Sequence, residues 1–241
     1  MRDIHCHLLY GVDDGSKSIE QTKELLSQAH DSGITDIMFT PHYIANSRFV
    51  SNKENNLELI EPIIRFAKEQ YNINVFLGNE VFVTEDMYSL YKSGEVSTLN
   101  DSRYMLFEIP LSNKLNGLKS IIFDLTSNGI VPILAHPERY VSYYKDFDFF
   151  YDLKNMGVLL QINYASLLGA YGSKAKKMAK KLLKLNLIDF VGSDIHTPRD
   201  DKYTNSQKAM KIIKKIVSED DFIAITENNF ARVIYDEEIW C

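Results

Sequence analysis

The sequence predicts an α/β fold, a closed barrel of seven parallel strands alternating with helices, on three observations. Short apolar runs alternate with amphipathic stretches at roughly even spacing from one end of the chain to the other. The 241 residues match the size of one such barrel, and no linker or low-complexity stretch divides them, so residues 1–241 are expected to form a single domain. Histidines and carboxylates stand at the C-terminal ends of the first, second, third, fourth, fifth and seventh apolar runs. An open sheet would spread those ends along a line, whereas a closed barrel gathers them at one mouth, where barrel enzymes place their chemistry.

The first strand covers residues 1–7, and its alternation sends His5 and His7 to one side and Cys6 to the other. A polar loop follows, with turn chemistry at Asp14-Gly15. Ser18-Ile-Glu-Gln21 reads as a capping box that opens a helix carrying Ile19, Leu26 and Ala29 and stopped by Gly33. Residues 34–40 form the second strand, closed by Pro41-His42. Ser51-Asn-Lys-Glu54 is a second capping box, and its helix is expected to kink or restart at Pro62. Residues 75–77 are the third strand, leading through Gly78-Asn79 to Glu80; Thr84 then caps a short helix ending at Gly94.

The fourth strand, residues 104–107, delivers Glu108. A helix runs to Gly129, and residues 130–135 are the fifth strand, ending in His136-Pro-Glu-Arg-Tyr140. An aromatic-rich helical segment reaches Gly157 before the sixth strand, residues 158–164. A lysine-rich helix covers residues 173–185, and the seventh strand, residues 188–192, ends in Ser193-Asp194-Ile-His196. Helical stretches at 207–217 and 220–228 complete the chain.

Hydrophobic residues at 45% and charged residues at 25% give the balance of a globular protein with ample core. A net charge of −6 argues against nonspecific binding of nucleic acid. It leaves room for an anionic substrate, because bound divalent cations would reverse the local field. Cys6 and Cys241 make no disulfide framework, which fits a reducing compartment. No apolar run after Met1 resembles a signal peptide or a membrane span, so the expected location is cytoplasmic.

The candidate ligands are His5, His7, His42, Glu80, Glu108, His136, Asp194 and His196. One strand-end histidine is ordinarily structural; the repetition of the pattern points to metal. His30 reads as a surface residue of the first helix. Imidazole and carboxylate without thiolate suit Mn, Zn or Fe, and so many ligands call for two or three ions. Clustered ions activate water and hold the attacking and leaving oxygens of a displacement at phosphorus. Arg139, three residues past His136, is a candidate phosphate clamp; its plainer reading is a salt bridge to Glu138 or Asp146. Arg199, three residues past His196, carries the same two readings. Cys6 does not open a Cys-x5-Arg phosphatase loop, since position 12 is Val12. The helix bearing Lys174, Lys176, Lys177, Lys180, Lys181 and Lys184 has an apolar stripe through Ala175, Met178, Ala179 and Leu182, so its lysines read as a solvated face.

With these residues in view, the chain resembles the PHP (polymerase and histidinol phosphatase) superfamily. Within it, the likeness is to the metal-dependent protein-tyrosine phosphatases of bacterial capsule and exopolysaccharide loci. The motifs that carry it are Asp3-Ile-His-Cys-His7 with Val12-Asp-Asp-Gly15, Thr40-Pro-His42, Gly78-Asn-Glu80, Leu106-Phe-Glu108, Ala135-His-Pro-Glu-Arg-Tyr140 and Gly192-Ser-Asp-Ile-His196. The resemblance implies a distorted (β/α)7, TIM-like barrel of the PHP type holding up to three divalent ions, Mn2+ first, with Fe, Zn or Co as alternatives. It implies one ion on His5, His7, Glu80 and Asp194. A second would lie on Glu80, Glu108 and His136, and a third on Asp14, His42 and His196, with Asp13 left open beside Asp14. Arg139 matches the family's phosphate-binding arginine, and Arg199 is a looser match, because the family's second arginine is expected further past the final histidine. Asp194 and His196 are the catalytic candidates for protonating the leaving phenolate. The implied reaction is hydrolysis of phosphotyrosine on the tail of a partner tyrosine kinase that controls polysaccharide assembly. Two alternatives stand beside it: a small-molecule phosphomonoesterase of the histidinol-phosphatase type, and a non-catalytic protein that sequesters the kinase tail.

Overall fold

In the computed structural model, which describes residues 1–239, the strands in chain order are β1 (Arg2–Cys6), β2 (Asp36–Phe39), β3 (His42–Tyr43), β4 (Asn74–Leu77), β5 (Glu80–Phe82), β6 (Tyr104–Glu108), β7 (Val131–Ala135), β8 (Leu159–Asn163) and β9 (Phe190–Gly192). Every strand pairing is parallel, in the orders β1-β2-β4 and β3-β5-β6-β7-β8-β9. The second and third strands expected from the sequence end about where expected, at Phe39 and Leu77, but each resumes as a short strand, β3 and β5, beyond breaks at Thr40-Pro41 and Gly78-Asn79. Proline supplies no amide hydrogen to the ladder, so the break at Pro41 follows from its chemistry. Hydrogen bonds from Gly78 N to Phe39 O (2.9 Å) and from Glu80 N to Pro41 O (3.2 Å) carry the pairing across both breaks. At the other edge β9 returns to β1. Asp194 N donates to His5 O (2.8 Å), His7 N donates to Ile195 O (2.9 Å), and Cys6 bridges Ile195. The result is a distorted barrel of seven strands, each bent strand counted once.

The helices are α1 (Ile19–Asp31), α2 (Lys53–Tyr71), α3 (Met87–Ser93), α4 (Leu118–Ser127), α5 (Phe147–Asn155), α6 (Tyr164–Leu168), α7 (Gly172–Lys184), α8 (Lys202–Ile213), α9 (Glu219–Ile223) and α10 (Asn229–Ile234). Alternation sorts the strand residues into two cores. Ile37, Phe39, Met105, Phe107, Leu134, Leu160 and Val191 face outward and pack with helix residues such as Leu25, Ile122 and Leu182. Ile4, Met38, Leu106, Ile133, Leu159 and Phe190 face inward and meet Phe230 and Val233 of α10. Full burial of each such side chain is worth roughly 1.5–3 kcal/mol. The C-terminal segment thereby plugs the end where the strands begin: Arg2 donates to Glu227 O (2.7 Å), and Tyr104 donates to Glu237 O (2.6 Å). Only the opposite end, where the strands finish, is left for polar chemistry.

Local expectations fared unevenly. Ser18 caps α1 by accepting from Gln21 N, but Gln21 Oε1 reaches back to Lys17 N rather than closing the box on Ser18. The cap of α2 is Asn52, whose side chain accepts from Asn55 N, while Ser51 turns inward to bond Asn56. α2 runs unbroken through Pro62, which is exposed, so the ring lies in solvent rather than against the core. Asp86, not Thr84, precedes α3, and it makes no capping bond. α8 starts five residues before the predicted stretch, and the last helical stretch runs on as α10. Cys6 is fully buried in the helix-side core and donates to Met38 O (3.3 Å). Cys241 lies outside the described residues.

Candidate metal centre

The open end of the barrel collects residues from every strand that carries a polar C-terminus. A bulge in β1 between Asp3 and Cys6 sends Ile4 to the inner core, while His5 and His7 rise above it toward the mouth. Both rings are fully buried, with their Nε2 atoms 3.2 Å apart. Each is oriented from behind. His5 Nδ1 faces Gln161 Oε1 at 2.8 Å, and His7 Nδ1 faces Asp13 Oδ2 at 2.7 Å. Such partners fix the tautomer and aim the other ring nitrogen forward. Two glycines make room for this. A Cβ on Gly192 would sit 2.9 Å from both Gln161 Nε2 and His5 Cβ, and one on Gly15 would sit 2.2 Å from His7 O.

Glu80 is the hub. Its Oε1 lies 3.0 Å from His136 Nε2, and its Oε2 lies 3.1 Å from His5 Nε2, 3.3 Å from His7 Nε2 and 3.1 Å from His42 Nδ1. Although fully buried, Oε2 has no hydrogen-bond partner, and neither has His42 Nδ1. Glu108 stands 3.5 Å from His42 Nδ1 and 3.7 Å from His136 Nε2. Asp194 divides its carboxylate. Oδ1 faces His5, His7 and His196 at 3.9, 3.6 and 3.4 Å, while Oδ2 accepts from Arg139 Nη1 (2.9 Å), Asn163 Nδ2 (2.6 Å) and Tyr171 OH (3.2 Å). Asp14 Oδ1 lies 3.7 Å from His42 Nε2 and 3.5 Å from His196 Nε2. Asp13 is committed elsewhere, to His7, to His42 N and to Gly15 N. Of the two aspartates left open by the sequence, Asp14 is therefore the one that faces the histidines of the rim.

His136 and Asp194 both take left-handed backbone conformations, φ 35° and 50°, which non-glycine residues adopt at a cost of roughly 1–3 kcal/mol. The electrostatics are also strained. Burial, together with the charges of Glu80 and Asp194, pushes the Glu108 carboxyl up to about 9. Burial drives the His42 and His136 rings toward neutrality. Burial opposes the charge on Asp194, yet Lys202 and His5 hold it well below the usual carboxylate range. The nearby carboxylates hold the His5 and His7 rings toward the charged form against their burial. Its facing donors form three overlapping groups whose atoms lie within 4.8 Å of one another: His7, Asp14, His42 and His196; His5, His7 and Glu80; and His42, Glu80 and Glu108. A buried orphan oxygen facing ring nitrogens, in a cluster of imidazole and carboxylate without thiolate, fits divalent cations.

Arg139 is not a surface salt bridge. Asp146 pairs with Lys114 at 2.7 Å, and Glu138 is buried and accepts from Asn163 N and Ser166 Oγ. Arg139 instead reaches Asp194, with its guanidinium 4.5 Å from the centre of the Tyr171 ring. Arg199 is exposed on the turn Pro198–Asp200, and no contact among the described residues joins it to the cluster. The cation that does enter from that loop is Lys202, which donates to Asp194 O and lies 5.6 Å from the Tyr171 ring centre. Sequence reasoning missed Lys202, Tyr171, Gln161 and Asn163. The last two had a readable sign, being polar at alternate positions of an otherwise apolar strand, Leu159–Asn163.

The profile of a family described as "Capsular polysaccharide synthesis, CpsB/CapC" matches residues 1–235. CapC of Staphylococcus aureus is 35% identical over 82% of this chain and 77% of its own length. The tyrosine-protein phosphatase CpsB of Streptococcus pneumoniae is 31% identical over 99% of this chain and all of its own. Among solved structures, a match described with YwqE of Bacillus subtilis and CpsB of Streptococcus pneumoniae as metal-dependent tyrosine phosphatases superposes with a TM-score of 0.87, at 28% identity, covering 100% of this chain and 96% of that one. A histidinol phosphate phosphatase from Lactococcus lactis shares the fold, with a TM-score of 0.56 at 14% identity over 88% of this chain and 92% of that one.

Proposed function

This chain belongs to the CpsB/CapC family, and from that premise we propose how its barrel mouth works as a metal-dependent protein-tyrosine phosphatase, a phosphoric monoester hydrolase. One observation carries the reading at the level of residues: the buried, unpartnered Glu80 Oε2 with three imidazole nitrogens within 3.3 Å of it. His5, His7, Glu80 and Asp194, then Glu80, Glu108 and His136, then Asp14, His42 and His196 would hold two to three divalent ions, Mn2+ first and Fe, Zn or Co as alternatives. Bound there, such ions supply Lewis acidity toward phosphoryl oxygens and acidify a water nucleophile.

The remaining steps fall to the chain's own side chains. Arg139 turns its planar fork from Asp194 to two phosphoryl oxygens, and the Tyr171 ring beneath it keeps the guanidinium in plane. Lys202 is the second cation, in the role first assigned to Arg199. Asn163 keeps Asp194 oriented while Arg139 is engaged with substrate. Burial, with the neighbouring His7, pushes the His196 ring down to about 4, so it stays neutral and serves with Asp14 as a ligand at the rim; the fully buried Asp194 binds and orients, and the leaving phenolate takes its proton from water. We assign the substrate to phosphotyrosine on the tail of a tyrosine kinase of polysaccharide assembly, met in the cytoplasm by one domain spanning residues 1–241. No helix among the described residues is long and apolar enough to cross a membrane.

The test is turnover after chelation and add-back of single metals, on phosphotyrosine peptide, phosphoserine peptide and histidinol phosphate. Phosphotyrosine hydrolysis restored best by Mn2+ supports the assignment. A preference for histidinol phosphate would move the protein to small-molecule chemistry, and tight peptide binding without turnover would make it a sequestering partner.

A further inference from the structure

Residues 141–147 and the face of α7 from Lys174 to Lys181 line a groove of about 580 Å³ that the chemistry at the mouth does not use. One wall begins at Val141, two residues past Arg139, and the other at Lys174, three residues past Tyr171. Both walls therefore follow closely in the chain from the two side chains that touch Asp194, and α7 packs against the Pro137–Arg139 turn. Its walls carry Lys145, Lys174, Lys177 and Lys181, and no carboxylate lines it. All four lysines are exposed, and none makes an ion pair among the described residues. Lys181 lies 5.8 Å from the ring centre of Phe147. Phe147 and Tyr144 line one side of the groove, and buried Met178 gives it an apolar floor.

A solvated helix face needs neither a concave apolar floor nor a four-lysine rim in a chain of net charge −6. We propose that this groove docks the stretch of substrate polypeptide flanking the phosphotyrosine, and that it selects flanks rich in carboxylate or carrying a second phosphate; the proposal rests on the phosphatase reading above. Charge complementarity identifies the occupant. The lysines attract anionic side chains, and the floor between them takes the aromatic or methylene part of the same residues. Its concave shape and the short chain distance of its walls from Arg139 and Tyr171 favour an extended peptide over a flat anionic lipid surface.

The test compares two non-hydrolysable phosphotyrosine-mimic peptides, with acidic or neutral flanks, by fluorescence anisotropy, alongside kcat/KM for the matching phosphopeptides. The proteins are the wild type, Lys174→Glu/Lys177→Glu/Lys181→Glu and the milder Lys174→Gln/Lys177→Gln/Lys181→Gln. In the wild type, the acidic-flank peptide should bind and turn over at least about fivefold better than the neutral one, with the advantage falling as salt rises. Charge reversal should bring the ratio to one or below, and the glutamine variant should give an intermediate value. An equal ratio in all three proteins overturns docking while leaving the phosphatase intact. Binding preference without turnover on any peptide overturns the phosphatase reading and keeps the groove. Lysine-dependent binding to phosphatidylserine vesicles, with no peptide preference, would replace the peptide by a membrane surface and overturn the proposal.

Discussion

Glu80 is a carboxylate without solvent exposure whose two oxygens lie within 3.3 Å of four imidazole nitrogens. An ordinary core would not keep that arrangement, because a buried charge without a full set of partners costs several kcal/mol. Glu80→Gln preserves the shape and removes the charge; elemental analysis should then find at least one ion fewer per chain, and phosphotyrosine turnover should fall by about two orders of magnitude. Arg139 and Lys202 converge on Asp194 from opposite loops, whereas Arg199 stays outside. Steady-state kinetics should accordingly show Arg139→Ala and Lys202→Met each losing roughly tenfold or more in kcat/KM, the size of one charge-assisted contact, with Arg199→Ala close to wild type. The reverse ranking would return the second clamp to Arg199. Cys6, packed behind the histidines with its thiol on Met38 O, belongs to the helix-side core. Cys6→Ser should retain most turnover, and a phosphocysteine trapped from the wild type would replace the metal mechanism with a covalent one.

At the scale of elements, the barrel was legible because buried parallel strands are short apolar runs, and those runs stood out between amphipathic helices. The two strand breaks were harder to see. Pro41 advertised the first, but Gly78-Asn79 interrupts a strand only because Asn79 leaves the ladder, donating its side-chain amide to Pro41 O and Ser51 O. Such long-range bonds leave no local pattern. The same holds for Lys202, whose approach to Asp194 depends on the turn at Pro198–Asp200 rather than on spacing alone. The histidine and carboxylate candidates were easier to find because each sits directly at the end of a readable run. Asn52 displaced Ser51 as the cap of α2 because Ser51 bonds Asn56 instead, a choice between two good caps that propensity does not decide. Pro62 is the sharper case. Helix α2 tolerates it in mid-course, giving up one backbone hydrogen bond on its exposed side. Pro62→Ala should restore that bond and raise stability by about 1–2 kcal/mol, the helix gain less the entropy that proline removes from the unfolded chain. A calorimetric scan should show the melting point rising by a few degrees with activity unchanged; a fall would mean that the ring packs against something the helix needs.

Across the whole molecule, one end of the barrel is closed by α10 and its apolar contacts, and the other holds carboxylates and imidazoles crowded, in overlapping groups, within 4.8 Å of one another. Ions that bind the folded cluster and not the unfolded chain stabilise the fold by mass action. Chelation should therefore lower the melting temperature as well as abolish turnover, and both should return together on addition of Mn2+. Loss of activity with an unmoved melting temperature would mean that the ions contribute chemistry without contributing stability. The closure of β9 onto β1 has a further consequence, for the order of events during synthesis. In chain order β1 brings His5 and His7, while Asp194 and His196 arrive some 190 residues later, with β9 as the last wall of the cage. A nascent chain that lacks β9 thus offers an incomplete site, and the whole cage exists only once Asp194 and His196 have emerged. The full ligand set can therefore take up its ions only from the pool that the chain meets once β9 has closed on β1.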